Sequence, residues 1–270
     1  MSDDDRSPQH YGRVVIVGGG CYGSYYVRQL LRAMEAGAVE ARELLVVDKD
    51  PRCAVARDYG STASVVRLDQ RDWRSFFDEY LSGAAAETSS AADDAIVPSP
   101  LMPHLMADWL VERSKRRWPE RRITTAPLDE SPAVPWSRAG DDGTYYVSFA
   151  TWMCPINCVE PRTCPHTRGP RSWSMPPTVE EFARQARGSG RNVSAAVLFC
   201  RHRAYGVGMF DTAEVIDADA SIASTAAANA AEFVIGTVSH CHGALTRLVI
   251  PAPHDETIPP IATFRVDAAH

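Results

Sequence analysis

Apolar positions along the chain follow two alternating periods. The short unbroken runs Val14-Val15-Ile16-Val17, Leu44-Leu45-Val46-Val47, Val65-Val66-Arg67-Leu68 and Ala95-Ile96-Val97 read as strands buried on both faces. Between them the spacing turns helical: Val27, Leu30, Leu31 and Met34 run up to Gly37, a short helix starts at Pro51, and another covers Asp72 to Leu81. Gly83 to Asp94 is small and polar and reads as a loop. Pro103 opens a helix that ends at Pro119. The βαβαβ rhythm predicts an α/β protein built on a Rossmann-like, doubly wound parallel sheet.

Directly after the first strand stands Gly18-Gly19-Gly20-Cys21-Tyr22-Gly23, and the next helix starts within it. Gly18-x-Gly20-x-x-Gly23 between a strand and a helix is the setting that a dinucleotide's pyrophosphate requires, with free amides and the positive helix end facing the phosphates. The loop that would hold them includes Cys21 and Tyr22. Asp48 closes the second strand, where a carboxylate accepts the adenosine ribose hydroxyls and favours NAD. Lys49 and Arg52 follow closely enough to meet a 2′-phosphate, so NADP is the alternative. Asp69, after the third strand, is placed to border the adenine pocket.

Val14-Val15-Ile16-Val17-Gly18-Gly19-Gly20 together with Val46-Val47-Asp48-Lys49-Asp50-Pro51 resembles the nucleotide-binding N-terminal domain of TrkA-type potassium-uptake regulators, the RCK domain, over residues 12–118. The segment is also similar to the Rossmann domain of saccharopine-dehydrogenase-like oxidoreductases. The first resemblance implies reversible nucleotide binding that changes the conformation of a homo-oligomeric, octameric ring without chemistry. Leu68-Asp69-Gln70 departs from the Gly-Asp pair expected in the regulators, and nothing after Pro119 resembles their ligand-sensing domain.

On this reading residues 1–10 are a disordered tail, 11–120 the NAD(P)-binding domain, 121–144 a proline- and glycine-bearing linker, and 145–270 a cysteine-rich α+β part or an extension of the same sheet. The last part has predicted strands at Tyr145 to Phe149, Val193 to Cys200 and Leu245 to Ile250. Helices are predicted at Thr178 to Arg187 and over the alanine-rich Ala220 to Gly236. Its distinguishing segment runs from Trp152 to His166 and holds Cys154, Cys158 and Cys164. Three thiolates gathered on one loop repel unless a cation lies between them, so the clustering points to a metal. Zinc loops usually carry C-x2-C knuckles, which are missing here, whereas Cys-Pro pairs such as Cys154-Pro155 and Cys164-Pro165 occur in cluster-binding loops. An iron–sulfur cluster is therefore favoured over zinc. Ser239-His240-Cys241-His242 supplies the fourth ligand, Cys241 for a cluster or a histidine for zinc, with His166 as a local competitor. Cys21, Cys53 and Cys200 read as buried thiols.

Ser99 and His104, just past the fourth strand, lie where a nicotinamide ring would sit. His104 is a candidate proton donor with no orienting partner in view. Arg201-His202-Arg203 would suit an anionic substrate or a solvated strand end. The basic run from Arg113 to Arg122 fits the negative end of a helix. A net charge of −6 gives no general attraction to nucleic acid or anionic lipid, and no apolar run reaches membrane-spanning length. An acidic start and seven cysteines in place of a paired framework suggest a cytoplasmic protein with reduced thiols. Serine-hydrolase elbows, P-loops and His-Glu-x-x-His are absent from the sequence. Two functions follow: an NAD(P)-dependent oxidoreductase with a metal or iron–sulfur centre beside the nicotinamide and a small-molecule substrate, or a non-catalytic nucleotide-sensing regulator with a structural zinc or redox-sensing cysteine segment.

Overall fold

The computed structural model describes residues 9–60, 64–86, 91–141, 143–155, 157–188 and 190–253. Most of the expected tail lies outside them, but its last two residues are strand. Along the chain come β1 (Gln9–Val17), α1 (Cys21–Glu35), β2 (Val39–Val47), α2 (Ala54–Tyr59), β3 (Val66–Asp69), α3 (Trp73–Ala86), β4 (Ala95–Val97) and α4 (Leu105–Arg117). There follow β5 (Thr124–Ala126), β6 (Trp136–Ala139), β7 (Tyr145–Ser148), α5 (Met175–Gly188), β8 (Val193–Phe199), β9 (Arg201–Ala204), β10 (Val207–Asp211), α6 (Thr212–Thr225), β11 (Ala231–Val238) and β12 (His242–Ile250).

Two mixed sheets result. The first has the order β3-β2-β1-β4-β10-β9, parallel from β3 to β4 and antiparallel beyond. The second runs β6-β7-β12-β11-β8, with β5 also on β12; only its β11–β8 pair is parallel. The shift to antiparallel pairing has a local cause. Gly206 (φ +82°) and Tyr205 (φ +44°) form a tight turn that folds β9 back on β10, and this hairpin occupies the edge where a further parallel strand would need a helical crossover.

The segment expected as a linker contributes β5 and β6 to the second sheet. The alanine-rich stretch divides: α6 ends before it is half complete, and the buried aromatic and β-branched run Phe233-Val234-Ile235 forms the middle of β11. The helix α3 continues to Ala86 through the start of the expected loop because Leu81 and Ala84 carry its apolar face onto the core. That core is shared. One buried cluster joins Val15, Leu110 and Phe210 of the first sheet's side with Leu198, Phe233 and Ile250 of the second. Among the described residues no helix is long and apolar enough to cross a membrane.

Candidate functional site

The carboxyl ends of the parallel strands bring the first group of residues together. Val17 pairs with Val47, Val47 with Asp69, and Ile16 with Val97, so Gly18, Asp48, Asp69 and Pro98 follow one another along one sheet edge. Gly18 has φ +87°, which carries the chain sharply off the strand. A Cβ on Gly23 would fall inside the Gly18 carbonyl oxygen, so α1 can start this close to the sheet only with glycine there. Gly20 has open space around it and serves as the N-cap of α1 without a side-chain cap. The helix therefore presents an uncapped positive end beneath free space.

The acidic partners are already engaged. Asp48 accepts the Gly19 amide at 2.7 Å and the Asp50 amide at 2.9 Å, which fixes the loop. Each oxygen retains a lone pair for a further donor. Asp69 is held by Arg71 in a two-pronged bond of 2.7 Å on each side. Lys49 follows Asp48 on the exposed side of the strand end. Cys21 is exposed at the start of α1 because it points away from the sheet, which corrects its reading as a buried thiol. Cys53 is buried beneath Gly19, as expected.

The second group is assembled from distant parts of the chain. Cys154, Cys158, Cys164 and Cys241 line one small pocket together with Trp152, Glu160, His166 and Arg171. The strand preceding the cysteine segment, β7, belongs to the second sheet and not to the first, contrary to the arrangement considered from the sequence. The segment meets the first sheet through His202 of β9, which faces the Cys158 carbonyl, and it is fastened to the second sheet by Glu160. That residue, at φ +47° and buried, accepts the Ser239 hydroxyl at 2.7 Å and the amides of His240 and Cys241 at 2.9 and 3.1 Å. Burial raises its pKa, but His202 and these donors outweigh it and hold the carboxyl below its usual range.

Several N–H groups are aimed at the sulfurs. The Glu160 amide donates to Cys158 Sγ at 3.4 Å and Trp173 Nε1 to Cys241 Sγ at 3.3 Å. Amides of Thr167 and His166 turn towards Cys164 and lower its pKa. Burial instead raises Cys154 and pushes Cys241 up to about 12, so these two thiols keep their protons unless a cation compensates. His166 is stacked on Trp152 with centroids 4.5 Å apart. As the chain stands, no group of three or more His, Cys, Asp or Glu side chains among the described residues is placed to hold a metal ion.

A cleft of about 1060 Å³ connects the two groups. Tyr22 and Tyr26 of α1 and Ser99 after β4 form one side; Cys154, Cys158 and Cys241 lie on the other, with His202, Thr237 and His242 between them. His104 is at the N-cap position of α4 and is not among the lining residues. The arginines flanking His202 are committed inside the fold, Arg201 to Glu214 and Arg203 to Asp211 and Tyr11. The basic run is used similarly: Arg117 grips Asp219, and Arg121 reaches the Ala226 and Ala227 carbonyls. Glu160, Trp173 and Thr237 were not read from the sequence, and His202 was read there only within the triplet Arg201-His202-Arg203. Only Glu160 carried a signal, as an acid standing among cysteines.

No curated protein and no solved structure matches this sequence. A family model does match, over residues 106–251, a range that takes in every cysteine of the small pocket and more than half of the chain. The chain belongs to that family, AF_1314_C, described as the C-terminal domain of an uncharacterized protein.

Proposed function

We propose that this chain is an NAD(P)-binding redox protein whose Rossmann-like half holds the dinucleotide at Gly18, Gly20 and Gly23, and whose Cys154, Cys158, Cys164 and Cys241 hold an iron–sulfur cluster beside it. The observation that carries this reading is the convergence of exactly these four cysteines on one pocket that adjoins the cleft beside the glycine-loop helix. The N–H groups aimed at Cys158, Cys164 and Cys241 support it, since such bonds favour thiolates and tune the potential of a cluster. The parallel order β3-β2-β1-β4, with glycines and acids at the carboxyl ends, supports the dinucleotide.

The Cys-Pro pairs and the lack of C-x2-C knuckles favour a cluster over a single zinc. One zinc draws four ligands to within about 2.3 Å of a point. A cluster spreads its thiolates over separate irons. Bound there, a cluster would take electrons singly, whereas a nicotinamide passes a hydride.

Anaerobic purification followed by iron, sulfide and zinc analysis tests this reading, alongside calorimetric titration with NAD and NADP. Iron and sulfide in equal amounts, a visible charge-transfer band and tighter binding of NAD are expected. Colourless, metal-free protein would remove the cluster. One equivalent of zinc with intact NAD binding and no NADH oxidation would favour the nucleotide-sensing alternative.

A further inference from the structure

We infer that the cleft between the glycine-loop helix and the cysteine segment binds an uncharged, ring-shaped small molecule bearing a carbonyl or hydroxyl oxygen. This names a substrate class for the site proposed above and rests on that reading for its chemistry; the argument for binding uses the walls alone. Ligand pockets usually measure about 300–1,000 Å³. At about 1060 Å³ this cleft holds more than the end of a dinucleotide.

The walls are aromatic. Tyr22 and Tyr26 stack with centroids 6.5 Å apart on one side, and Trp136 and Tyr146 come from β6 and β7. Trp136 is 43% exposed and Met153, also lining the cleft, is 95% exposed, so apolar surface continues to its mouth. Flat faces of this kind suit a ring.

Charge is missing where an ionic ligand would need it. Neither lysine nor arginine lines the cleft. Its carboxylate, Glu160, has both oxygens occupied by Ser239, His240 and Cys241, and His202 directs Nδ1 at the Cys158 carbonyl. An anion would meet the Glu160 charge with no lysine or arginine to offset it, and a cation would find both Glu160 oxygens already taken by three donors, so an ion of either sign is poorly matched here.

Two buried polar atoms of lining residues have no hydrogen-bond partner among the described residues, Trp152 Nε1 and Thr237 Oγ1, and of these only the threonine can both donate and accept. Thr237 is 7% exposed, lies in the cleft wall, and its Oγ1 has no hydrogen-bond partner among the described residues. Valine has the same shape without the buried hydroxyl, so an unmatched threonine weakens the fold unless something else uses its oxygen. A ligand oxygen, met by rotation of the threonine side chain, is that partner.

The test is equilibrium dialysis of the full chain, purified anaerobically and without added nucleotide, against four probes of similar size: 2-acetylnaphthalene, 2-naphthoate, N-methylquinolinium and 2-ethylnaphthalene. The ketone should bind about tenfold more tightly than either ion. Thr237→Val should weaken the ketone about fivefold, leave the ethyl compound unchanged, and unfold at no lower urea concentration than the parent. Ala150→Trp, which fills the cleft from its wall, should block all four. Ions bound as tightly as the ketone, no binding of the ketone, or indifference to Thr237→Val would overturn the inference. If a variant fails to fold, the charge series on the parent still decides it. Binding by protein that lacks iron and ignores NADH would leave this inference standing while the redox reading fell; lost binding with iron and NAD intact would do the reverse.

Discussion

The glycine loop and the cysteine pocket are built by opposite means. The loop is made of consecutive residues, and its shape follows from strand pairing, one positive φ and the absence of a Cβ at Gly23. The cysteine pocket gathers residues from an irregular segment and from the turn between β11 and β12, and it is fastened by side chains, above all Glu160. A site made of backbone is formed once its sheet is formed. A site made of side chains depends on each fastening, and one substitution can open it while the sheets persist.

Gly23→Ala gives the sharpest contrast. The new Cβ meets backbone that cannot yield, so we expect nucleotide binding to fall at least about 100-fold and stability by about 3 kcal/mol in urea unfolding. A normal nucleotide affinity would break the comparison from the loop side. Glu160→Gln should cost roughly 2 kcal/mol, because its amide NH2 faces donors where an acceptor is needed, and should reduce bound metal while calorimetry records unchanged nucleotide affinity. Full metal content in that variant would show that Glu160 does not fasten the pocket.

Smaller effects sharpen the picture. Trp173→Phe removes the N–H from Cys241 and keeps a ring against Trp152, so the midpoint potential of the proposed cluster should shift while unfolding changes by about 1 kcal/mol or less. Acid should loosen the second sheet through Glu232. Burial raises its pKa, but Arg191 and Arg247 outweigh this and hold it below its unfolded value of about 4.3. Its stabilising contribution is thus complete above that value and is lost as pH falls through the lower folded one. The stability gap between the parent and Glu232→Gln, measured in urea across pH 3 to 6, should therefore shrink on the acid side; a gap that widens there would contradict the sign.

How much the sequence disclosed follows the same division. Strands buried on both faces declare themselves as Val, Ile and Leu runs, and β1, β2 and β4 were readable to within a residue or so at their carboxyl ends. Arg201–Ala204 and Val207–Asp211 carry no such run, because β9 lies at a sheet edge with charged side chains paired laterally. The alanines before β11 masked its apolar run with helix propensity, although Phe233-Val234-Ile235 had the composition of a strand. The place of Cys241 beside the other three cysteines was legible, since a metal expected on three of them calls for a fourth ligand and few candidates remained. Thr237 was not, because a hydroxyl without a partner is a property of three-dimensional surroundings.

The hairpin of β9 and β10 has a consequence for how the molecule can be divided. β8 lies in the second sheet and β9 in the first, with Cys200 alone between them, its amide tied to the Val238 carbonyl at 2.8 Å. A fragment ending near residue 120 would lack β10 and leave β4 as a raw edge, while the remainder would carry two strands with no sheet to join. The halves are therefore interlocked in the manner of a dovetail, so that neither can be expressed, exchanged or hinged independently of the other.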